Sequence, residues 1–104
     1  MIIDKLRSQD LDGLFEMILM LENIEECYLF FDDLCTLNEI RTILQRYQVA
    51  KMLYNNNTYR EIEVETGAGS ATISRTKRSL NDGNDMYNVL FNRLKKENNT
   101  SSLQ

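Results

Sequence analysis

A chain of 104 residues, 42% hydrophobic and 27% charged, has the size and make-up of one globular domain, neither disordered nor fibrous. No run of about 18 apolar residues occurs, and the opening MIIDKLRSQD lacks the apolar core of a secretory signal, so no membrane partner and a cytoplasmic location are expected. Histidine is absent and the two cysteines stand at no metal-ligand spacing, which argues against a metal site and against most acid–base catalysis.

Taken in order, Leu11, Leu14, Phe15, Ile18 and Leu21 recur at three- and four-residue spacing and predict a helix over residues 10–21. Met17, Leu19 and Met20 spread its apolar surface well past one face. Asn23, followed three positions later by Glu26, predicts a capped second helix bearing Cys27, Phe30, Phe31 and Leu34, with Asp32 and Asp33 on its wet side. In a reducing compartment Cys27 and Cys35 read as small buried or half-buried hydrophobes. Short helices this apolar need cover on more than one side, which a monomer of this size supplies poorly. A second copy of the chain is the economical cover.

Thr36 and Glu39 form a capping-box pattern that opens the longest helix, 37–54. Its inward positions are expected at Ile40, Ile43, Leu44, Tyr47, Ala50 and Leu53, with Gln45, Arg46 and Lys51 polar. Asn55, Asn56 and Asn57 then stop it, because asparagine favours turns and tolerates positive φ.

The stretch 58–80, TYREIEVETGAGSATISRTKRSL, parses as helix, glycine turn, helix. Thr58 and Glu61 can cap the first helix reciprocally, and Ile62 faces inward. Gly67 falls where a helix must end in a left-handed residue, and Gly69 is expected to keep the turn tight. A second helix starts near Ser70. With Ile73 and Leu80 as its buried side, the opposite stripe carries Ala71, Ser74, Arg75 and Arg78. Small, hydroxyl and guanidinium groups at that spacing suit entry into a major groove, where arginine offers a bidentate fork to guanine.

Beyond this, Gly83 reads as a terminator and Asn84 or Asp85 as a new cap. Met86, Val89, Leu90, Phe91 and Leu94 mark a last helix to about Lys96, with Arg93, Lys95 and Lys96 suiting its C-terminal dipole. Residues 98–104 are too polar to order themselves and are expected as a disordered tail, leaving a single domain over 1–97. The prediction is an all-α, multi-helix fold.

The net charge of −4 speaks against a nucleic-acid partner, but its distribution does not: residues 1–44 hold ten acids against three bases, and 45–104 nine bases against six acids. An acidic body thus carries a basic edge at the candidate reading helix. The block GAGSATISRTKRSL at 67–80, with LCTLNEI at 34–40 and FFDDL at 30–34, resembles the Trp repressor superfamily, and the chain from about Ile3 to Lys96 is similar to its YerC/YecD-type branch. That resemblance implies an intertwined homodimer binding operator DNA through a helix-turn-helix. It also implies the sorting of contacts: Gly69, Ser70, Ala71, Thr72, Ser74 and Arg75 for the groove. Arg60, Lys77 and Arg78 are assigned to phosphate by their charge, with Tyr59 beside Arg60 on the DNA backbone.

In the Trp repressor a tryptophan corepressor lies between two arginines, and the resemblance aligns Arg46 and Arg75 with them and Ser79 with a ligand-side serine. Thr76 departs from the family, which has glycine where the indole rests; a β-branched side chain there fills part of the slot. No cofactor is expected, with tryptophan or another small effector as the only small-molecule candidate. An enzyme is not expected: Glu61, Glu63 and Glu65 are the densest carboxylates, and they alternate around a short helix as solvated groups. The competing reading is a helical, dimeric protein-interaction module whose acidic half docks on a partner.

Overall fold

The computed structural model describes residues 1–102, all helices and turns with no strand among them: a 3-10 turn at Ile2–Leu6, α1 Gln9–Leu19, α2 Ile24–Leu34, α3 Leu37–Tyr54, α4 Tyr59–Thr66, α5 Ser70–Asp82 and α6 Met86–Ser102. The all-α expectation holds. The chain forms two compact units, Met1–Leu37 and the remainder from Asn38.

In the first unit, α1 starts one residue before the expected position because Ser8 caps it, its hydroxyl accepting the Leu11 N–H at 3.1 Å. Asn23 caps α2 as anticipated, accepting the Glu26 N–H at 2.9 Å, while the Glu26 carboxylate turns back to the Glu22 N–H. Neither helix contains a buried residue. Cys27 is exposed and Cys35 half-buried, so the expectation for Cys27 is corrected. The physical reason is that α1 and α2 are apolar around most of their circumference and two short helices cannot cover each other. Leu19 and Tyr28, 77% and 72% exposed, are left in solvent with Leu29 and Ile24.

The second unit has a core of Val49, Ile62, Ala68 and Ile73, against which Met52, Leu53 and Tyr59 pack. Ala50 is buried as expected, but Ile43, Leu44 and Tyr47 are about half exposed and the unforeseen Val49 is fully buried. Helix α3 is apolar on more than one side, and in the second unit Ile62, Ala68 and Ile73 fill the side that bears Val49. Gln45, expected in solvent, is half-buried and donates to the Thr66 carbonyl at 3.2 Å. Asn56 takes φ 63°, the left-handed turn foreseen for the asparagine run.

Phe91 joins α6 to α3, with ring centroids 5.0 Å from Tyr54 and 6.2 Å from Tyr47, and the Tyr54 hydroxyl donates to Asn92. Gly83 ends α5 by close approach rather than by positive φ: a Cβ there would lie 2.4 Å from the Ser79 carbonyl oxygen. Helix α6 runs on to Ser102, so 98–102 is helical where a disordered tail was expected; extending a formed helix adds a hydrogen bond per residue without a new nucleation step. Residues 103 and 104 of that tail lie outside the described residues. None of the described helices is long and apolar enough to cross a membrane.

Candidate nucleic-acid interface

The candidate reading unit begins with a fixed helix start. The Thr58 hydroxyl accepts the Glu61 N–H at 3.2 Å, and the Glu61 carboxylate accepts the Thr58 N–H at 3.1 Å, the Thr58 O–H at 2.9 Å and the Asn57 amide at 3.1 Å. These donors, the Thr58 amide first, hold the Glu61 carboxyl below its ordinary pKa, so it is a carboxylate near neutral pH. Ile62 is fully buried one residue later and pins α4 to the core.

The turn is held from inside. Gly67 takes φ 71° and ψ 5°, its N–H reaching the Glu63 carbonyl. The Thr66 hydroxyl donates to the Ile62 carbonyl at 2.7 Å and accepts the Ala68 N–H at 3.1 Å, and Ala68 is 4% exposed. Gly69 behaves otherwise: it caps α5 with φ −77° and ψ 162°, and an added Cβ would meet nothing within 4 Å. The expectation that Gly69 tightens the turn is therefore corrected; the left-handed bend falls at Gly67 alone, and the space at Gly69 lies open.

This contrast gives a test of the turn. Gly67→Ala should destabilise the protein by roughly 1–2 kcal/mol, the cost of a Cβ in the left-handed region, lowering the melting temperature by several degrees. Gly69→Ala, at an ordinary φ with room for a methyl, should melt closer to wild type in the same circular-dichroism experiment. Equal losses would mean that the bend does not depend on Gly67.

On α5, Ile73 is fully buried, Thr76 is 9% exposed and Leu80 is half-buried. Gly69, Ser70, Ala71, Arg75, Lys77 and Arg78 are exposed, and Thr72 and Ser74 half-buried. On α4, Arg60 is exposed and Tyr59 half-buried, with Glu63 and Glu65 also in solvent. Ala71, Arg75 and Arg78 thus lie away from the buried side, while Ser74 of the same stripe is half-buried.

Arg75 also borders a pocket of about 230 Å³ lined by Arg46, Thr72, Arg75, Thr76, Ser79 and Tyr87. The four residues that the family resemblance assigns to a ligand all fall on its wall. Thr72, named for the groove, lines this pocket too. The Thr76 hydroxyl donates to the Thr72 carbonyl at 3.0 Å. Tyr87 was not anticipated. It stands between the packing positions Met86 and Val89 of α6, and nothing in its spacing marks it as a pocket residue. Among the described residues no group of three or more His, Cys, Asp or Glu is placed to hold a metal ion.

Comparison with known proteins gives a consistent set of relatives. The sequence model of the family described as Trp repressor protein matches residues 9–95. The YerC protein of Bacillus subtilis (strain 168) is 58% identical over 100 residues, 96% of this chain and 96% of that one. A crystal structure of a candidate Trp repressor from Staphylococcus aureus superposes with a TM-score of 0.87 at 59% identity, covering 91% of this chain and 95% of the other. A TrpR-like protein from Eubacterium eligens gives 0.84 at 51% identity, over 88% and 95%.

Proposed function

The chain belongs to the Trp repressor protein family, a family of DNA-binding regulators rather than enzymes, and from that premise we propose that it is a sequence-specific regulator of transcription, working as a homodimer. The observation that carries the reading is the division of α5, buried at Ile73 and Thr76 and open at Ala71, Arg75 and Arg78. A rigid helix backed by a core can enter a major groove without reorganising. Ala71 and Gly69 allow close approach, Ser70, Thr72, Ser74 and Arg75 meet base edges, and Arg60, Lys77 and Arg78 meet phosphates. Tyr59 stands beside Arg60 at the start of α4. One such helix reads too few bases for a selective site, so two copies read a palindromic operator with half-sites about one turn, ~34 Å, apart. Titration of mixed duplex DNA at two salt concentrations tests the reading, since an interaction module would show no salt-sensitive affinity for DNA.

The pocket beside Arg75 supports control by a small effector, because a ligand there would touch a residue that also faces outward. Two guanidiniums suit an anionic group. Tryptophan is disfavoured: Thr76 occupies part of the slot, and overpacking a close-fitting pocket costs about 1–3 kcal/mol. Calorimetry with tryptophan should give no binding in the micromolar range; micromolar affinity would contradict this account of Thr76.

A further inference from the structure

We propose that Tyr59 is a positioning residue for DNA binding, holding the Lys77 ammonium over its ring so that the two helices of the reading unit present one fixed, uncancelled positive charge. The inference rests on the DNA-binding reading but assigns Tyr59 a different task from a direct backbone contact. The Lys77 Nζ lies 5.6 Å from the centroid of the Tyr59 ring, within the range of a cation–π contact. Tyr59 is half-buried and packs on the core of Val49, Ile62, Ala68 and Ile73, so the ring is a fixed platform, whereas Lys77 is exposed and otherwise free to sample many rotamers.

No carboxylate of the described residues competes for Lys77. Glu61 is engaged by Thr58 and Asn57, and among the described residues no carboxylate pairs with Lys77. A salt bridge would position the ammonium but offset the charge a phosphate needs. An aromatic face positions it and leaves the charge intact. Lys77 and Tyr59 also share the wall of a cleft with Asn56, Asn57, Thr58 and Asn81, whose amides and hydroxyl are neutral. The ammonium is thereby ordered before DNA arrives, and less side-chain entropy is lost on binding.

The test is a double-mutant cycle on duplex affinity in the full chain, with Tyr59→Leu, Lys77→Met and the pair, and Tyr59→Phe as the variant that keeps the ring. Tyr59→Leu and Lys77→Met should each weaken binding, Tyr59→Leu by roughly two- to five-fold, the pair no more than Lys77→Met alone, and Tyr59→Phe should stay within about twofold of wild type. Losses that multiply, or a Tyr59→Phe loss equal to that of Tyr59→Leu, would overturn the proposal. A readout independent of DNA separates it from the functional reading. In free protein the Lys77 ε-methylene protons should be shifted upfield by the ring, and Tyr59→Leu should abolish the shift, even if no duplex is bound. Unshifted protons in wild type would remove the contact itself.

Discussion

Leu29→Asp should convert the protein from a dimer to a monomer and lower its affinity for operator DNA by about 10²-fold or more. In one chain Leu29 is 60% exposed, and a charge at an exposed position away from special features changes stability by no more than about 0.5 kcal/mol. If the first unit is covered by a second copy, the same substitution buries an unpaired carboxylate and opposes association by several kcal/mol. Half-sites linked through a dimer gain 10²–10⁴ in avidity, and a monomer forfeits that gain. Light scattering reads the first effect as a fall from twice the 12.2 kDa of one chain to once, and a DNA titration reads the second. Leu19→Asp, at 77% exposure, provides a second site. An unchanged mass for both variants would mean that the apolar surface of α1 and α2 is not the dimer contact.

Substitutions on α5 should separate by role. Arg75→Ala and Ser74→Ala are expected to change which sequences are preferred, each base contact carrying roughly 1–3 kcal/mol of discrimination, or about ten- to a hundredfold. Arg78→Ala should weaken all sequences alike, because a phosphate contact carries no base information. Binding to an operator and to a scrambled duplex of the same composition reads both quantities. All three side chains have solvent-facing surface, so the folded fraction should stay near wild type. Equal losses on every duplex for all three variants would contradict the assignment of Ser74 and Arg75 to bases.

The helix ends were legible where a local rule sets them. The Thr58–Glu61 box, the left-handed Gly67 and the Asn23 cap depend on residues three or four apart, and the sequence displays those directly. Which side of α5 is buried was legible too, since Ile73 and Leu80 define it by periodicity alone. Side choice on α3 was legible only in part: Ala50 is buried as expected, but Val49 takes the inside ahead of Ile43, Leu44 and Tyr47 because it packs with Ile62 of α4 and Ile73 of α5. The exposure of Cys27 has the same origin, an apolar helix without enough neighbours in its own chain. The pocket residues Arg46, Arg75, Thr76 and Ser79 came from family resemblance, not from spacing, and Tyr87 escaped both. The run of α6 past Lys96 was missed because composition was weighed over the propagation of a formed helix.

If the outer face of α5 engages duplex DNA, binding must depend steeply on salt. With Arg60, Lys77 and Arg78 each neutralising a phosphate in both copies, about six counterions are released, and affinity should fall roughly 10³-fold between 50 and 200 mM salt. Binding that is absent at low salt, or that does not change between the two concentrations, would mean that α5 does not sit on phosphates.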